Sequence, residues 1–181
     1  MSAAPDPLQV GEYLVRKYEP SDAEALVIAV TESREHLRPW MPWIKFEPQT
    51  VTQRAELIET WNEAWEERTE FVLGIFFDDR VVGGTGIHLR GPVNTVEIGY
   101  WIHADFTGRG IASQVSEALT LQAFRLWSEI DTVLIVHDEA NIASGKVPAR
   151  LGFEHVFTGL REPEAPAESG VMYRWEKKRA S

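Results

Sequence analysis

Residues 100–113 read Tyr100-Trp101-Ile102-His103-Ala104-Asp105-Phe106-Thr107-Gly108-Arg109-Gly110-Ile111-Ala112-Ser113. The residues from Thr95 to Ile102 are rich in β-branched and aromatic side chains and predict a strand that ends here. Two glycines then narrow the chain into a turn. Ile111, Val115, Leu119, Ala123 and Leu126 follow on one face of a helix running from about Arg109 to Trp127. A helix that starts this way leaves its first N–H groups without intrahelical acceptors, with the positive end of the macrodipole behind them. Glycine lets a ligand approach that backbone closely. A phosphate or pyrophosphate fits such a place.

Working outward, Tyr13–Tyr18 predicts a first strand, and Ser21 or Asp22 caps a helix that continues to about Arg34. Residues 36–43, His-Leu-Arg-Pro-Trp-Met-Pro-Trp, are apolar and aromatic, but their two prolines forbid a regular helix. A second helix from about Thr52 to Glu67 carries Leu57, Ile58, Trp61 and Trp65 at helical spacing, and Trp61, Trp65 and Trp127 read as core. Phe71–Phe77 and Val81–Leu89 form an antiparallel hairpin around Asp78-Asp79-Arg80. Gly83, Gly84 and Gly86 in its return strand predict a bulge or a close backbone approach. Thr132–Val136 is a short strand, Asn141 caps a helix ended by Gly152, and Phe153–Gly159 and Val171–Trp175 complete the strands. Residues 161–168, rich in Pro and Glu, read as a mobile surface loop edging the site. The class is mixed α/β, with an antiparallel start and later crossovers. Residues 1–9 form a flexible arm, and 10–181 a single domain.

The composition narrows the function. A net charge of −10 argues against nucleic acid, whose backbone needs a basic face, and suits a small or basic partner. There is no cysteine, so disulfides, thiolate metal sites and a cysteine nucleophile are absent together. The five histidines have no paired ligand spacing, so no metal is expected. No apolar run approaches the ~20 residues of a membrane span, and no signal peptide is evident, so a cytoplasmic location is expected.

Three kinds of site use such a glycine turn. A phosphate-binding P-loop requires G-x-x-x-x-G-K-[ST], which the chain lacks. A dinucleotide turn requires G-x-G-x-x-G/A. Gly108 and Gly110 match it, Ser113 stands at the last position, and Asp138 follows the next strand, so a nicotinamide-dependent oxidoreductase stays open. Third, Thr107–Ala112 resembles the acyl-CoA pyrophosphate loop of the GNAT superfamily of N-acyltransferases, written [QR]-x-x-G-x-[GA], with threonine replacing the leading Gln or Arg. Asn141-Ile142-Ala143-Ser144 with Leu151-Gly152-Phe153-Glu154 is similar to the N-x-x-S…L-G-F segment of the RimJ/RimL-like branch. Residues 36–43 and Glu97-Ile98-Gly99-Tyr100-Trp101 are similar to that branch too, so the resemblance runs from about residue 12 to 176.

The resemblance implies a GNAT fold: a central, mostly antiparallel twisted sheet with a splayed parallel pair and flanking helices. It also implies direct acetyl transfer from acetyl-CoA, with succinyl-CoA as an alternative donor, to a protein N-terminus or a small amine. The backbone at Gly108, Arg109, Gly110, Ile111, Ala112 and Ser113 would hold the pyrophosphate, and Trp101 and Ile102 would offer backbone groups to the pantetheine arm. Asn141 caps its helix and could reach the cofactor, while Ser144 stands near the sulfur. Glu97, a carboxylate inside a strand, could accept the amine's proton or bind an ammonium. Trp40 and Trp43 could wall the amine pocket, because aromatic faces attract ammonium groups. His137 is an alternative base at a strand end, within a solvated loop. A non-catalytic acyl-CoA-binding module has the same features, and monomer and homodimer are equally open.

Overall fold

The computed structural model describes residues 4–180. In chain order its elements are β1 (Leu8–Val10), β2 (Tyr13–Lys17), α1 (Ala23–Leu37), α2 (Val51–Glu66), β3 (Glu70–Phe77), β4 (Arg80–His88) and β5 (Thr95–Ile102). Then follow α3 (Ile111–Leu126), β6 (Thr132–Asp138), α4 (Ile142–Arg150), β7 (Glu154–Leu160) and β8 (Val171–Lys178). The strands make one sheet in the order β1-β2-β3-β4-β5-β6-β8-β7. Among the described residues only β5 and β6 pair in parallel; α3 supplies the crossover between them. A sheet with one parallel pair is not a doubly wound dinucleotide fold, which overturns the oxidoreductase alternative.

Side-chain alternation along the strands assigns the two faces. Phe71, Leu73 and Ile75 of β3, Ile87 of β4, and Val96 and Ile98 of β5 face Ile111, Val115, Leu119 and Ala123 of α3, with Trp127 fully buried among them. The opposite face is covered by α1 and α2, where Leu26, Val30, Leu37, Ile44 and Ile58 pack with Tyr18 and Phe76. Thr50 caps α2 reciprocally, its hydroxyl accepting from the Gln53 N–H while the Gln53 side chain accepts from the Thr50 N–H. The bulge expected in β4 falls opposite Ile75 and Phe76, where the register slips past Val82.

Several expectations are corrected. Residues 1–3 of the predicted arm lie outside the described residues, but Leu8 and Gln9 belong to β1, paired with β2 across a turn with Gly11 at φ +59°. Ala4, Leu8 and Val10 pack on the core, and the Asp6 carbonyl accepts from Gln122 Nε2 at 2.9 Å. The flanking prolines hide this short apolar alternation. β6 runs two residues further than predicted, which removes His137 and Asp138 from the expected loop. Residues 161–168 are pinned: Glu168 accepts from Arg161 and from the N–H groups of Glu164 and Ala165, Ala165 is buried, and the Ala167 N–H donates to the Pro39 carbonyl.

Candidate active site

The register of β4 and β5 builds the floor of a cavity. On the face under α1 and α2, Gly84 lies opposite Trp101, Gly86 opposite Gly99, and His88 opposite Glu97. The Gly86–Gly99 pair contributes no side chains to this stretch of floor, so the His88 ring leans over Gly86, with the Trp101 indole on one side and Glu97 on the other. Gly84 is required for the same reason: a Cβ there would lie 2.3 Å from Trp101 Nε1. Above this floor opens a cavity of about 650 Å³, walled by Trp40, Trp43, Trp61 and Tyr18. Trp43 meets Trp101 edge to face at 6.0 Å, and Trp61 tilts against Tyr18 at 5.6 Å. Trp40 and Trp43 both line this cavity. Trp61, expected in the core, packs against the cluster around Tyr18 and also lines the cavity.

Most of the charges lining this cavity are already paired. Arg54 and Glu47 form a buried ion pair, and Arg161 pairs with Glu168. Glu70 meets His88 and Arg90. Hydrogen bonding to His88, outweighing burial, holds its carboxyl below the usual range. Asp138 accepts from the N–H groups of Ala140, Ser169 and Gly170 and from the Ser169 hydroxyl. Burial would push its carboxyl up, but these hydrogen bonds hold it below the ordinary value. Glu97, half-buried, has no hydrogen bond or ion pair among the described residues. It is the carboxylate left to meet a cationic ligand.

Beyond Glu97 and Leu134 the parallel pair stops, and β5 and β6 diverge. The gap is spanned by Tyr100, which points to the face opposite Glu97 and donates to the Ser144 carbonyl at 3.0 Å, with Ser144 Oγ 3.2 Å from the same hydroxyl. Burial pushes the Tyr100 phenol up to about 12, against a lowering by its bond to Ser144, so it stays protonated at neutral pH. Asn141 caps α4 by accepting from the Ser144 N–H at 3.1 Å and, like Ser144, lines the cavity. Tyr100 was missed as a side chain because period two places it away from the acceptor face.

β5 leads through residues 103–110 into the start of α3. Gly108 and Gly110 have φ of +75° and +77°, values that favour glycine. No side chain caps this helix, and the first helical acceptor taken is the Gly110 carbonyl, by the Gln114 N–H. The N–H groups of Ile111, Ala112 and Ser113 are thus free for an anion. A Cβ at Gly108 would meet nothing within 4 Å, so the turn is open on its outer side. A hollow of about 400 Å³ beside it is lined by Gly110, Ser113, Gln114, Glu117, Arg150 and Leu151, so the Arg150 cation, which sequence reading had not singled out, shares it with the Glu117 carboxylate. The Arg109 guanidinium instead lies 4.4 Å over the Phe106 ring and donates to the Asp105 carbonyl, so here Arg109 offers backbone only. The turn is fastened to α1: the Ala104 N–H donates to Ser33 Oγ at 3.1 Å, and His103 Nε2 lies 2.9 Å from Glu32 Oε2.

His137 is occupied at both ring nitrogens, Nδ1 with the Asp138 carbonyl at 2.8 Å and Nε2 with Trp175 Nε1–H at 3.0 Å. Burial holds it below the usual imidazole value. It lines the cavity as a fixed neutral ring and has no lone pair free to act as a base, which corrects its assignment as an alternative base. Among the described residues no group of three or more His, Asp or Glu side chains could hold a metal, and no helix is long and apolar enough to cross a membrane.

Known proteins share this fold. Residues 13–154 match the family model described as an acetyltransferase (GNAT) domain. The chain is 30% identical over 147 residues to the Bacillus subtilis protein named "Putative ribosomal N-acetyltransferase YdaF", covering 80% of both chains. Among solved structures it is similar to RimL, the ribosomal L7/L12 α-N-protein acetyltransferase in complex with coenzyme A. The TM-score is 0.86 and the identity 19%, over 96% of this chain and 98% of that one. It is also similar to the microcin C7 self-immunity acetyltransferase MccE in complex with acetyl-CoA and AMP, with a TM-score of 0.85 and 19% identity over 93% of each chain. With the family model covering most of the sequence and the sheet order and glycine turn in agreement, the chain belongs to the GNAT acetyltransferases and is an acyltransferase enzyme.

Proposed function

We propose that this protein moves an acetyl group from acetyl-CoA to a primary amine, a protein N-terminus or a small amine, by direct transfer in a ternary complex. The observation that carries the reading is the cavity with the unpaired Glu97 on its floor, which Tyr100, Asn141 and Ser144 also line beyond the point where β5 and β6 stop pairing. The free N–H groups at Ile111–Ser113, at the positive end of α3, suit a pyrophosphate. The edge of β5 at Trp101 and Ile102 suits the amides of a pantetheine arm. Bound acetyl-CoA would supply the activated acetyl thioester. Glu97 holds the acceptor's ammonium beneath the Trp40 and Trp43 walls. Ser144 Oγ, with Tyr100 behind it, donates to the departing sulfur. The names of the relatives support a ribosomal-protein N-terminus as acceptor, within a RimJ/RimL-like branch.

The test is thermal stabilisation by acetyl-CoA, succinyl-CoA, free CoA and NADPH, followed by thiol release with a panel of amines and N-terminal peptides. A ligand at about 100 times its Kd stabilises by about 2.7 kcal/mol. Shifts with the CoA species but not NADPH, and amine-dependent thiol release, are the expected outcomes. Shifts without thiol release would leave only an acyl-CoA-binding module, and no shift with any CoA species would refute the reading.

A further inference from the structure

His88 ends β4 on the cavity face, across from Glu97, and its ring leans over the Gly86–Gly99 pair. Its Nδ1 lies 2.5 Å from Glu70 Oε1, which also accepts from Arg90 at 3.2 Å. A carboxylate can only accept, so the proton in this bond belongs to Nδ1. The neutral ring therefore carries its lone pair on Nε2. Among the described residues that nitrogen has no partner, and it sits 3.6 Å from where a Cβ on Gly99 would be. Glu70, His88 and Glu97 all line the cavity. The charged groups facing the ring are Glu70 on β3, Glu97 on β5 and Arg90 just past β4, while Arg54 and Glu47 are spent on each other.

We infer that His88 is the base of the transfer: Nε2 takes the proton from the acceptor nitrogen, and Glu70 is the positioning residue that fixes the ring's tautomer and orientation. This rests on the acetyl-transfer reading above and divides the labour at the cavity floor, since Glu97 then holds the ammonium while His88 deprotonates it. An imidazole ordinarily titrates near 6.5, close to the 7.7–8.0 of an α-amine, whereas carboxylates lie near 4, and proton transfer is most effective between matched groups. The step balances. The ammonium gives one proton to Nε2, the freed pair on nitrogen forms the N–C bond, and the C–S bond breaks with its pair leaving on sulfur. The nitrogen's next proton is lost to water and the sulfur gains one, so each turnover releases one proton once His88 resets.

The experiment compares the wild type with His88→Gln, Glu70→Gln and Glu97→Gln, using acetyl-CoA and the panel amine the wild type turns over fastest. His88→Gln is expected to lose about 100-fold or more in kcat. It should also lose the limb of the pH profile that rises as the imidazole deprotonates, while keeping the CoA-induced thermal shift that shows it is folded. Glu70→Gln should lose less, because the ring is still present but no longer held in one tautomer and orientation. Glu97→Gln should act mainly on the acceptor's KM. Nitrogen-15 NMR of the wild type should find neutral His88 protonated at Nδ1. A His88→Gln variant that keeps kcat and its pH limb, or an Nε2–H tautomer in the wild type, would overturn the proposal. A wild type that releases thiol with no amine would instead overturn the transfer reading, and the tautomer would still judge the dyad.

Discussion

Replacing Asp138 by Asn probes the anchor that holds the 161–170 segment over the cavity. The carboxylate, 3% exposed, accepts four hydrogen bonds: Ala140 N–H and Ser169 N–H at 3.0 Å, Ser169 Oγ at 2.9 Å, and Gly170 N–H at 3.0 Å. Bonds to a charged acceptor contribute about 1.5–3 kcal/mol and neutral ones about 1. Asparagine keeps one oxygen for the three donors at Oδ1, each weakened, and turns an amide N–H toward that of Gly170. The expected cost is about 3 kcal/mol. For a chain of this length that lowers Tm by about 6–12 °C. Because the folded carboxyl is held below its ordinary value, its contribution is complete above about pH 3.9 and is lost as pH falls through the lower folded value. Denaturation of both proteins from pH 7 to 2.5 reads this directly: the gap should be full at pH 7 and close in acid. A fall in Tm below 2 °C at pH 7, or a gap that persists undiminished in acid, would refute the reasoning. Acceptor KM should also rise in the variant, with KM for acetyl-CoA nearly unchanged.

Gly110→Ala places a side chain at φ +77°, which costs about 1–2 kcal/mol and disturbs the anion-facing turn, so calorimetry should show CoA binding about tenfold weaker. Equal affinity would mean the turn does not hold the ligand. Ser144→Ala removes the hydroxyl beside Tyr100; a kcat lower by about tenfold with KM for acetyl-CoA unchanged is expected in steady-state thiol release, as one lost bond to the leaving sulfur implies. Trp175→Phe deprives His137 Nε2 of its donor and should cost about 1–2 kcal/mol in urea denaturation at pH 8. With His137 held below its ordinary value by burial, the wild type loses stability as pH falls below about 6.5, and the difference between the two proteins should shrink there.

The cradle was legible in the sequence because it is local. Two glycines at positive φ, an uncapped helix start and an amphipathic run are all written within twenty residues of one another. Asn141's cap and the β3–β4 hairpin were legible for the same reason. The cavity was not, because it is made by register. Gly86 meets Gly99, and Glu70 meets His88, only once three strands are aligned, and nothing in the spacing of those residues announces it. Trp61 lies on the inward face that helical periodicity marks, and it both packs against the core and lines the hollow, a second role that periodicity does not announce. His137 was misread because its strand continues two residues past the last aliphatic one, carrying the ring into the protein.

The Gly86–Gly99 pair beneath the His88 ring has a consequence for how the acceptor range can change. A methyl group added at Gly99 would touch the His88 ring at 3.6 Å, an ordinary contact, whereas one added at Gly86 would stand 2.7 Å from that ring and 3.2 Å from the Phe71 carbonyl. Position 99 can therefore be raised like an adjustable shelf, making the hollow shallower for smaller amines without moving the strands. Position 86 has less room: a methyl group there needs the His88 ring to swing away and the Phe71 carbonyl to give by a few tenths of an ångström. A lineage, or an engineer, seeking a new acceptor would tune one tile of the floor and leave its neighbour untouched.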